Sequence, residues 1–151
     1  MSTLIIRQAV LSDLEALVLL FDDYRKFYAR ASDIRAAREF LLARFNHGES
    51  VLFIAHEDDI PIGFTQLYPS FSSVSLARIF VLNDLFVSEH ARRKGVASKL
   101  IFAAVELAQT LGAVRVSLST ATTNETAQAL YQSVGWKRDE QFFVYHYAIP
   151  A

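Results

Sequence analysis

The sequence predicts an α/β fold in which an open, mixed sheet carries helices on both faces. Segments of strand and helix character follow one another as strand, two helices, three strands, helix, strand, helix and strand. Residues 78–120 contain a strand, a helix and a strand in succession. Such a crossover is almost always right-handed and makes its two strands parallel neighbours. Helices on both faces would cover a sheet of this kind.

The first strand and the first two helices occupy the opening third of the chain. Residues 3–7 form a short apolar strand. Ser12, which has a glutamate three residues later, matches a capping box and predicts the start of a helix that runs to about residue 29. A second helix follows Asp33 and stops at Gly48, because glycine commonly ends helices.

Three strands form the middle of the chain. Residues 51–56 and 62–68 are rich in β-branched and aromatic side chains. Residues 57–61 between them, with three acidic residues and a proline, are typical of a hairpin connection. Residues 78–87 form a longer run of the same character, which indicates a central strand.

Two helices and two strands complete the prediction. Apolar residues recur at helical spacing over residues 97–111 and a glycine follows, so this helix is the clearest in the chain. Residues 114–120 alternate as a strand, Asn124 begins a helix that ends at Gly135, and residues 142–149 form a closing strand.

Length, cysteine content and histidine spacing limit the class of protein. With 151 residues the chain suits one domain, since a protein of this size buries roughly 68–70% of its unfolded surface. No linker divides residues 1–151, and cysteine is absent, which excludes disulfides and a cysteine nucleophile. We expect no metal, because the histidines stand without ligand spacing: His47, His56, His90 and His146.

Charge and hydrophobicity predict a protein that binds neither nucleic acid nor membrane. Fifteen Lys and Arg against sixteen Asp and Glu give a net charge of −1, so no general field attracts polyanions. A signal peptide and any run of about 18 apolar residues are missing, which predicts a cytoplasmic protein. The hydrophobic fraction of 52% predicts either an apolar ligand groove or a homodimer, and the aromatic residues on both faces of the closing strand favour the homodimer.

A cluster of cations lies between the central strand and the clearest helix. It consists of Arg92, Arg93 and Lys94, and Gly95 follows. Positive charge at a helix N-terminus opposes the helix dipole unless an anion binds there. Free backbone N–H groups favour a phosphate-type ligand, and glycine allows its close approach. The alternative is an exposed basic turn that binds nothing.

The spacing Arg92-x-x-Gly95-x-Ala97 resembles the pyrophosphate-binding motif Arg/Gln-x-x-Gly-x-Gly/Ala of the GNAT superfamily of N-acetyltransferases. The resemblance extends over residues 83–136, and its second half is similar to that family's cofactor site in these residues: Asn124, Ala127, Leu130, Tyr131, Gly135 and Trp136. It implies the GNAT fold, acetyl-CoA as co-substrate, and transfer of its acetyl group to a primary amine of a small molecule, amino acid, polyamine or lysine side chain.

The resemblance also implies which residues hold acetyl-CoA. Backbone groups of Leu85, Phe86 and Val87 would pair with the pantetheine arm and polarise the thioester carbonyl. Asn124 would hold the cofactor arm, or act only as the N-cap of its helix. The loop that would wrap the pyrophosphate consists of Arg92, Arg93, Lys94, Gly95, Val96 and Ala97.

Tyr131 is the catalytic acid that the resemblance implies, meeting the CoA sulfur as the thiolate leaves. Reference pKa values are about 10 for tyrosine and about 8.5 for a thiol, so a hydrogen bond to the developing thiolate is an alternative to full proton transfer. Because Tyr131 lies on the apolar stripe of its helix, a core tyrosine is the other interpretation.

Asp84 is the candidate proton acceptor. An alkyl ammonium, with a reference pKa near 10.4, must lose a proton before it attacks. Residues 82–87 resemble the corresponding strand of the diamine and histone-type branch of the family, although Asn83 stands where that branch usually has an acid. This departure weakens the case for a polyamine. Asp84 could also act through water, or simply pair with Arg78 or Arg92.

Acceptor selection is expected to involve Tyr24, Arg25, Tyr28 and Asn83. The first three share one helix face, a pattern that also fits core packing. Nearby acidic residues favour a cationic acceptor, whereas Arg25 favours one with a carboxylate, and the sequence does not choose. The rival to an enzyme is an acyl-CoA-binding sensor or assembly module on the same fold.

Overall fold

The computed structural model describes residues 2–151, which fall into two units, one ending at Ser119 and one spanning Thr120–Ala151. The first unit holds β1 (Leu4–Gln8), α1 (Leu14–Phe27), α2 (Ile34–His47), β2 (Val51–Glu57), β3 (Ile60–Ser72), β4 (Ala77–Val87), α3 (Val96–Thr110) and β5 (Val116–Ser117). The second unit holds α4 (Glu125–Ser133). The expectation of a single domain stays a prediction.

The sheet of the first unit is mixed, as predicted. Its strand order is β1-β2-β3-β4-β5, with antiparallel pairing from β1 to β4 and parallel pairing of β4 with β5. The connection between β2 and β3 is a two-residue turn in which Asp58 and Asp59 have φ of 51° and 67°. Two left-handed residues suit the twist of a hairpin, so the predicted hairpin is confirmed.

Helices cover both faces of this sheet. α1 and α2 pack on one face through a core that includes Leu17, Phe21 and Leu41 on the helices and Ile54 and Phe64 on the strands. α3 packs on β1 to β4. Its buried residues do not belong to the core that α1 and α2 form, so they lie against the opposite face, since side chains alternate between the two faces of a sheet. The predicted α/β fold class is therefore confirmed.

The start of α1 corrects one prediction. Ser12 does not cap this helix; it lies in a 3-10 turn, Leu11–Asp13, that precedes α1. Asp13 is the residue that organises the turn, since its carboxylate accepts hydrogen bonds from Val10 N at 2.7 Å and from both terminal nitrogens of Arg7. The predicted caps of α2 are correct: Asp33 accepts from Ala36 N at 3.0 Å, and Gly48 has φ of 60°.

The closing strand is also corrected. Residues 142–149 have no regular secondary structure, and β5 is limited to Val116–Ser117 rather than residues 114–120. A strand needs a neighbour that completes its hydrogen-bond ladder, and no backbone bond to residues 142–149 is formed within the described chain. Alternating aromatic residues predict the strand's conformation but not the presence of its partner.

None of the helices within residues 2–151 is long and apolar enough to cross a membrane.

Candidate active site

A β-bulge in β4 shapes the region where most predicted site residues lie. Gln66 is opposite Asp84 and Leu67 is opposite Leu82, so Asn83 has no partner on β3. A bulge bends its strand and redirects side chains, often beside active sites. β4 pairs with β5 only at Phe80 and Val81. One edge of residues 82–87 therefore has no strand partner in the described chain, and its backbone groups can bind a ligand.

Asp84 is a buried carboxylate held by neutral donors. It is 2% exposed, and it accepts hydrogen bonds from Asn83 Nδ2 at 2.7 Å and Gln66 Nε2 at 2.5 Å. It forms no ion pair with any described cation. Arg78 and Arg92 lie over aromatic rings instead. The interpretation of Asp84 as the partner of either arginine is therefore wrong.

Burial raises the pKa of the Asp84 carboxyl above its ordinary value, and the hydrogen bonds from Asn83 and Gln66, together with the nearby Tyr24 hydroxyl, oppose that shift only in part. A carboxylate without a cationic partner is costly to bury. Asp84 is thus a stronger base than an exposed aspartate. Perturbed carboxyls of this kind are common at catalytic sites.

A pocket opens onto Asp84 between α1, α2 and the sheet. This α1–β4 pocket has a volume of about 400 Å³, which is within the range of small-molecule sites. Its lining residues are Phe21, Tyr24, Arg25, Ala36, Ala37, Phe40, Tyr68, Asn83 and Asp84. Of the four residues predicted to select the acceptor, the pocket brings together Tyr24, Arg25 and Asn83, whereas Tyr28 contacts the Tyr24 ring at 5.2 Å and is not part of the lining.

Two tyrosine hydroxyls accompany Asp84 in the pocket. The Tyr24 hydroxyl donates to Asn83 O at 3.2 Å. Burial first, and then the charge of Asp84, raise the pKa of both Tyr24 and Tyr68. Both phenols therefore stay protonated at neutral pH and can donate hydrogen bonds to a bound ligand.

The cationic loop lies at the N-terminus of α3. Arg93 and Gly95 have positive φ, 66° and 78°, a conformation that glycine adopts freely and arginine adopts at a cost. The first backbone N–H groups of α3, those of residues 96–98, donate to no acceptor in the described chain. The loop thus combines free donors with positive charge, which is what an anionic group requires.

The cations of the loop differ in what they contact. Arg92 Nε donates to Val87 O at 2.9 Å, and its guanidinium lies 5.4 Å from the Phe27 ring centroid. Arg92 therefore braces the loop against the end of β4. Lys94 Nζ donates to Glu57 at 3.2 Å, and Arg93 is exposed.

The second unit carries the remaining predicted residues. Asn124 is the N-cap of α4, where its Oδ1 accepts from Ala127 N at 3.1 Å. The Tyr131 ring lies 6.1 Å from the Trp136 ring, and Trp136 N donates to Tyr131 O at 2.9 Å. Asn124 thus fulfils its structural role, which is compatible with a further one.

Three residues of the site were not predicted from the sequence: Gln66, Phe40 and Tyr68. Gln66 is fully buried beside Asp84, and its Oε1 has no hydrogen-bond partner within the described residues. Its signal was available, because it is the uncharged amide in an otherwise apolar strand segment. Phe40 and Tyr68 gave no such signal, since an aromatic residue on a helix or strand more often packs in a core.

Comparisons with known proteins identify the family of this chain. The model of the Acetyltransferase (GNAT) family matches residues 16–136. An uncharacterised N-acetyltransferase of Bacillus subtilis (strain 168), YhfO, is 49% identical over 146 residues, which cover 97% of this chain and 98% of that one. The chain belongs to the GNAT family of acetyltransferases.

Solved structures agree with the fold. A crystal structure of a probable acetyltransferase superposes with a TM-score of 0.93 at 44% identity, covering 97% of this chain and 99% of the other. An aminoglycoside N-acetyltransferase in complex with CoA has a TM-score of 0.82 at 22% identity, covering 99% and 97% of the two chains. At that identity the second match concerns the fold alone.

Proposed function

We propose that this protein is an acetyl-CoA-dependent N-acetyltransferase in which a primary amine attacks the thioester directly within a ternary complex. The observation that carries the proposal is Asp84, a buried carboxylate without a cationic partner at the wall of the α1–β4 pocket. A cation is the ligand that such a carboxylate favours. An ammonium group bound there would supply the missing charge and the proton that Asp84 can accept.

In the proposed reaction one side chain accepts a proton and another donates one. The ammonium of the acceptor gives a proton to Asp84, directly or through water, and its nitrogen attacks the acetyl carbonyl carbon. A C–N bond forms, the C–S bond breaks, and the second proton passes from the nitrogen to water, which also returns to Tyr131 any proton that its hydroxyl gives to the sulfur. The CoA sulfur departs with a hydrogen bond or a proton from the Tyr131 hydroxyl, which reduces the charge that develops on it.

The residues present fit acetyl-CoA. Its pyrophosphate needs an anion site, and residues 92–97 offer the free N–H groups of α3 beside the exposed Arg93 and beside Lys94, whose ammonium also pairs with the Glu57 carboxylate. Its pantetheine amides need strand-like partners, and Leu85, Phe86 and Val87 lie on the edge of β4 that β5 leaves open. Acetyl-CoA supplies the activated acetyl group; the protein supplies orientation and proton transfer.

Charge reversal in the loop tests this assignment. We expect Arg93→Glu and Lys94→Glu each to weaken CoA binding by roughly 10- to 100-fold, since a charge-assisted hydrogen bond to phosphate contributes about 1.5–3 kcal/mol. The loss should shrink as salt rises, because these charges are exposed and screened. Calorimetric titration of CoA at two salt concentrations measures both effects, with Lys137→Glu as an exposed control outside this loop. CoA affinity unchanged in both loop variants contradicts this location.

The experiment that tests the activity is a CoA-release assay with acetyl-CoA and a panel of amines. The panel contains amino acids, monoamines, a polyamine, an aminoglycoside and a lysine-containing peptide. Release that depends on one class of amine supports the proposal. CoA binding without amine-dependent release from any of them supports the alternative, an acyl-CoA-binding sensor or assembly module.

A homodimer in the cytoplasm is the other part of this proposal. Residues 142–149 expose a run of apolar side chains, with Phe143 and Tyr145 each 90% exposed. Apolar runs of this extent usually mark an interface. The partner we propose is a second copy, whose strands can supply the ladder that this segment lacks.

Light scattering of the whole protein at micromolar concentration measures this association. We expect twice the chain mass of 17.0 kDa, and a shift toward the single-chain mass when Phe143 and Tyr145 are both replaced by serine. A wild-type protein that scatters as a single chain contradicts the dimer.

A further inference from the structure

Arg25 differs from every other arginine in residues 2–151. It is partly buried, yet its side chain has no ion pair, no hydrogen bond and no contact with an aromatic ring. The others either contact a carboxylate, a carbonyl oxygen or a ring, namely Arg7, Arg35, Arg38, Arg44, Arg78 and Arg92, or are exposed, namely Arg30, Arg93, Arg115 and Arg138.

Asp22 lies within electrostatic reach of Arg25, but its carboxylate already has other partners. The Asp22 carboxylate accepts hydrogen bonds from Ser32 Oγ at 2.7 Å and from Asp33 N at 2.8 Å. These bonds tie α1 to the start of α2 and leave the guanidinium of Arg25 at the pocket wall. A partly desolvated guanidinium without a partner favours an anionic ligand.

The α1–β4 pocket therefore presents one charge of each sign. Arg25 and Asp84 are the only charged residues of its lining. Most of the remaining wall is apolar or aromatic, with the Phe21 and Phe40 rings stacked at 5.7 Å. A ligand that matches this lining carries an ammonium, a carboxylate and an apolar group.

We infer that the acceptor is a short zwitterion, an α-amino acid or a comparable amino-carboxylate with an apolar side group, whose carboxylate binds Arg25 while its amine faces Asp84. The inference rests on the function proposed above and names its substrate class. A plain amine leaves Arg25 without a partner, and a polycation places positive charge beside it. Arg25 thus selects acceptors that carry a carboxylate. Asp84 accepts a proton from the amine of an acceptor with or without a carboxylate.

A set of three acceptors separates the carboxylate from the side group. Phenylalanine, phenylalanine amide and phenethylamine share the aromatic group, and only the first has a carboxylate. We expect wild-type kcat/KM for phenylalanine to exceed that for each of the others by at least about 10-fold, the scale of one hydrogen-bonded ion pair. Equal or better use of either carboxylate-free amine overturns the inference.

Variants of Arg25 locate the effect. Arg25→Gln should lower kcat/KM for phenylalanine by roughly 10- to 100-fold, mainly through KM, and change that for phenethylamine by less than about 3-fold. Arg25→Lys should restore part of the loss, and the exposed control Arg30→Gln should behave as wild type. If Arg25→Gln lowers kcat/KM equally for all three acceptors, Arg25 has a structural role through its effect on Asp22, and the inference fails.

Two further measurements distinguish a loss of acceptor binding from a folding defect and from a failure of the proposed function. Thermal unfolding of Arg25→Gln checks that the fold is intact, and calorimetry measures phenylalanine binding to the CoA complex without any need for turnover. Binding of phenylalanine that Arg25→Gln abolishes supports the inference; equal binding by both proteins, or none by wild type, contradicts it. Absence of CoA release with every amine contradicts the proposed function, whereas good turnover of carboxylate-free amines contradicts only the choice of acceptor.

Discussion

Replacing Asp84 with asparagine is expected to lower kcat/KM at neutral pH by roughly 10²- to 10⁴-fold, the usual contribution of a general base. The variant keeps the shape of the side chain and its place beside Gln66 and Asn83, but it cannot accept the proton of the ammonium. Activity should return in part at higher pH, where more of the acceptor amine is already neutral.

The same substitution should leave the protein at least as stable as the wild type. Because burial raises the pKa of Asp84 above its ordinary value of 3.8, the folded state binds this proton more tightly than the unfolded state. The free energy of unfolding therefore falls as pH rises from that value through the pKa in the folded protein. Asparagine does not ionise, so the variant avoids this decrease in the free energy of unfolding. If the Gln66 amide flips, its Oε1, which has no hydrogen-bond partner in the described residues, can accept a hydrogen bond from the asparagine side chain.

Thermal unfolding and acceptor kinetics across a pH series measure both effects. Asp59→Asn is a matched control, since Asp59 is exposed in the β2–β3 turn and asparagine tolerates its positive φ. An Asp84→Asn variant whose turnover at neutral pH is within about 3-fold of wild type removes Asp84 from the mechanism.

Tyr131→Phe is the second substitution for which we expect a large effect on turnover. We expect kcat and kcat/KM to fall together by roughly 10- to 1000-fold, because a hydrogen bond to the departing sulfur is made only as charge develops on it. Acetyl-CoA binding should change little, since the ring that contacts Trp136 remains. Unlike Asp84→Asn, this variant should not recover at high pH.

Single-turnover kinetics with a good acceptor isolate the chemical step for this comparison. The exposed Tyr147→Phe serves as a control for hydroxyl removal elsewhere in the second unit. Wild-type rates in Tyr131→Phe, under conditions in which chemistry limits the rate, would return Tyr131 to a purely structural role.

The order and type of the elements from β1 to α4 could be predicted because each has a local cause. Asp33 and Gly48 delimit α2 through a side-chain cap and a left-handed glycine, and both are visible in the sequence. The closing strand could not be predicted reliably, since its existence depends on a neighbouring strand that no local pattern encodes.

The pocket was predictable only in part. Arg25 and Asp84 are separated by nearly 60 residues and meet through the packing of α1 on the sheet, so their separate roles were foreseeable but their presence in one cavity was not. The bulge at Asn83 could not be predicted from the sequence either, because it depends on the register between β3 and β4. Register also determines that Gln66 lies opposite Asp84 and shares its face of the sheet.

The most direct test of the central claim is a single-turnover experiment with isotope-labelled acetyl-CoA, a slight excess of protein and phenylalanine or another accepted amine, analysed by mass spectrometry of small molecules and intact protein. If transfer is direct, the label passes to the amine nitrogen in one step, no acetylated protein accumulates, and Asp84→Asn slows this step at neutral pH. Label on the protein before it reaches the amine, or no labelled amine with any acceptor that supports CoA release, would contradict direct transfer.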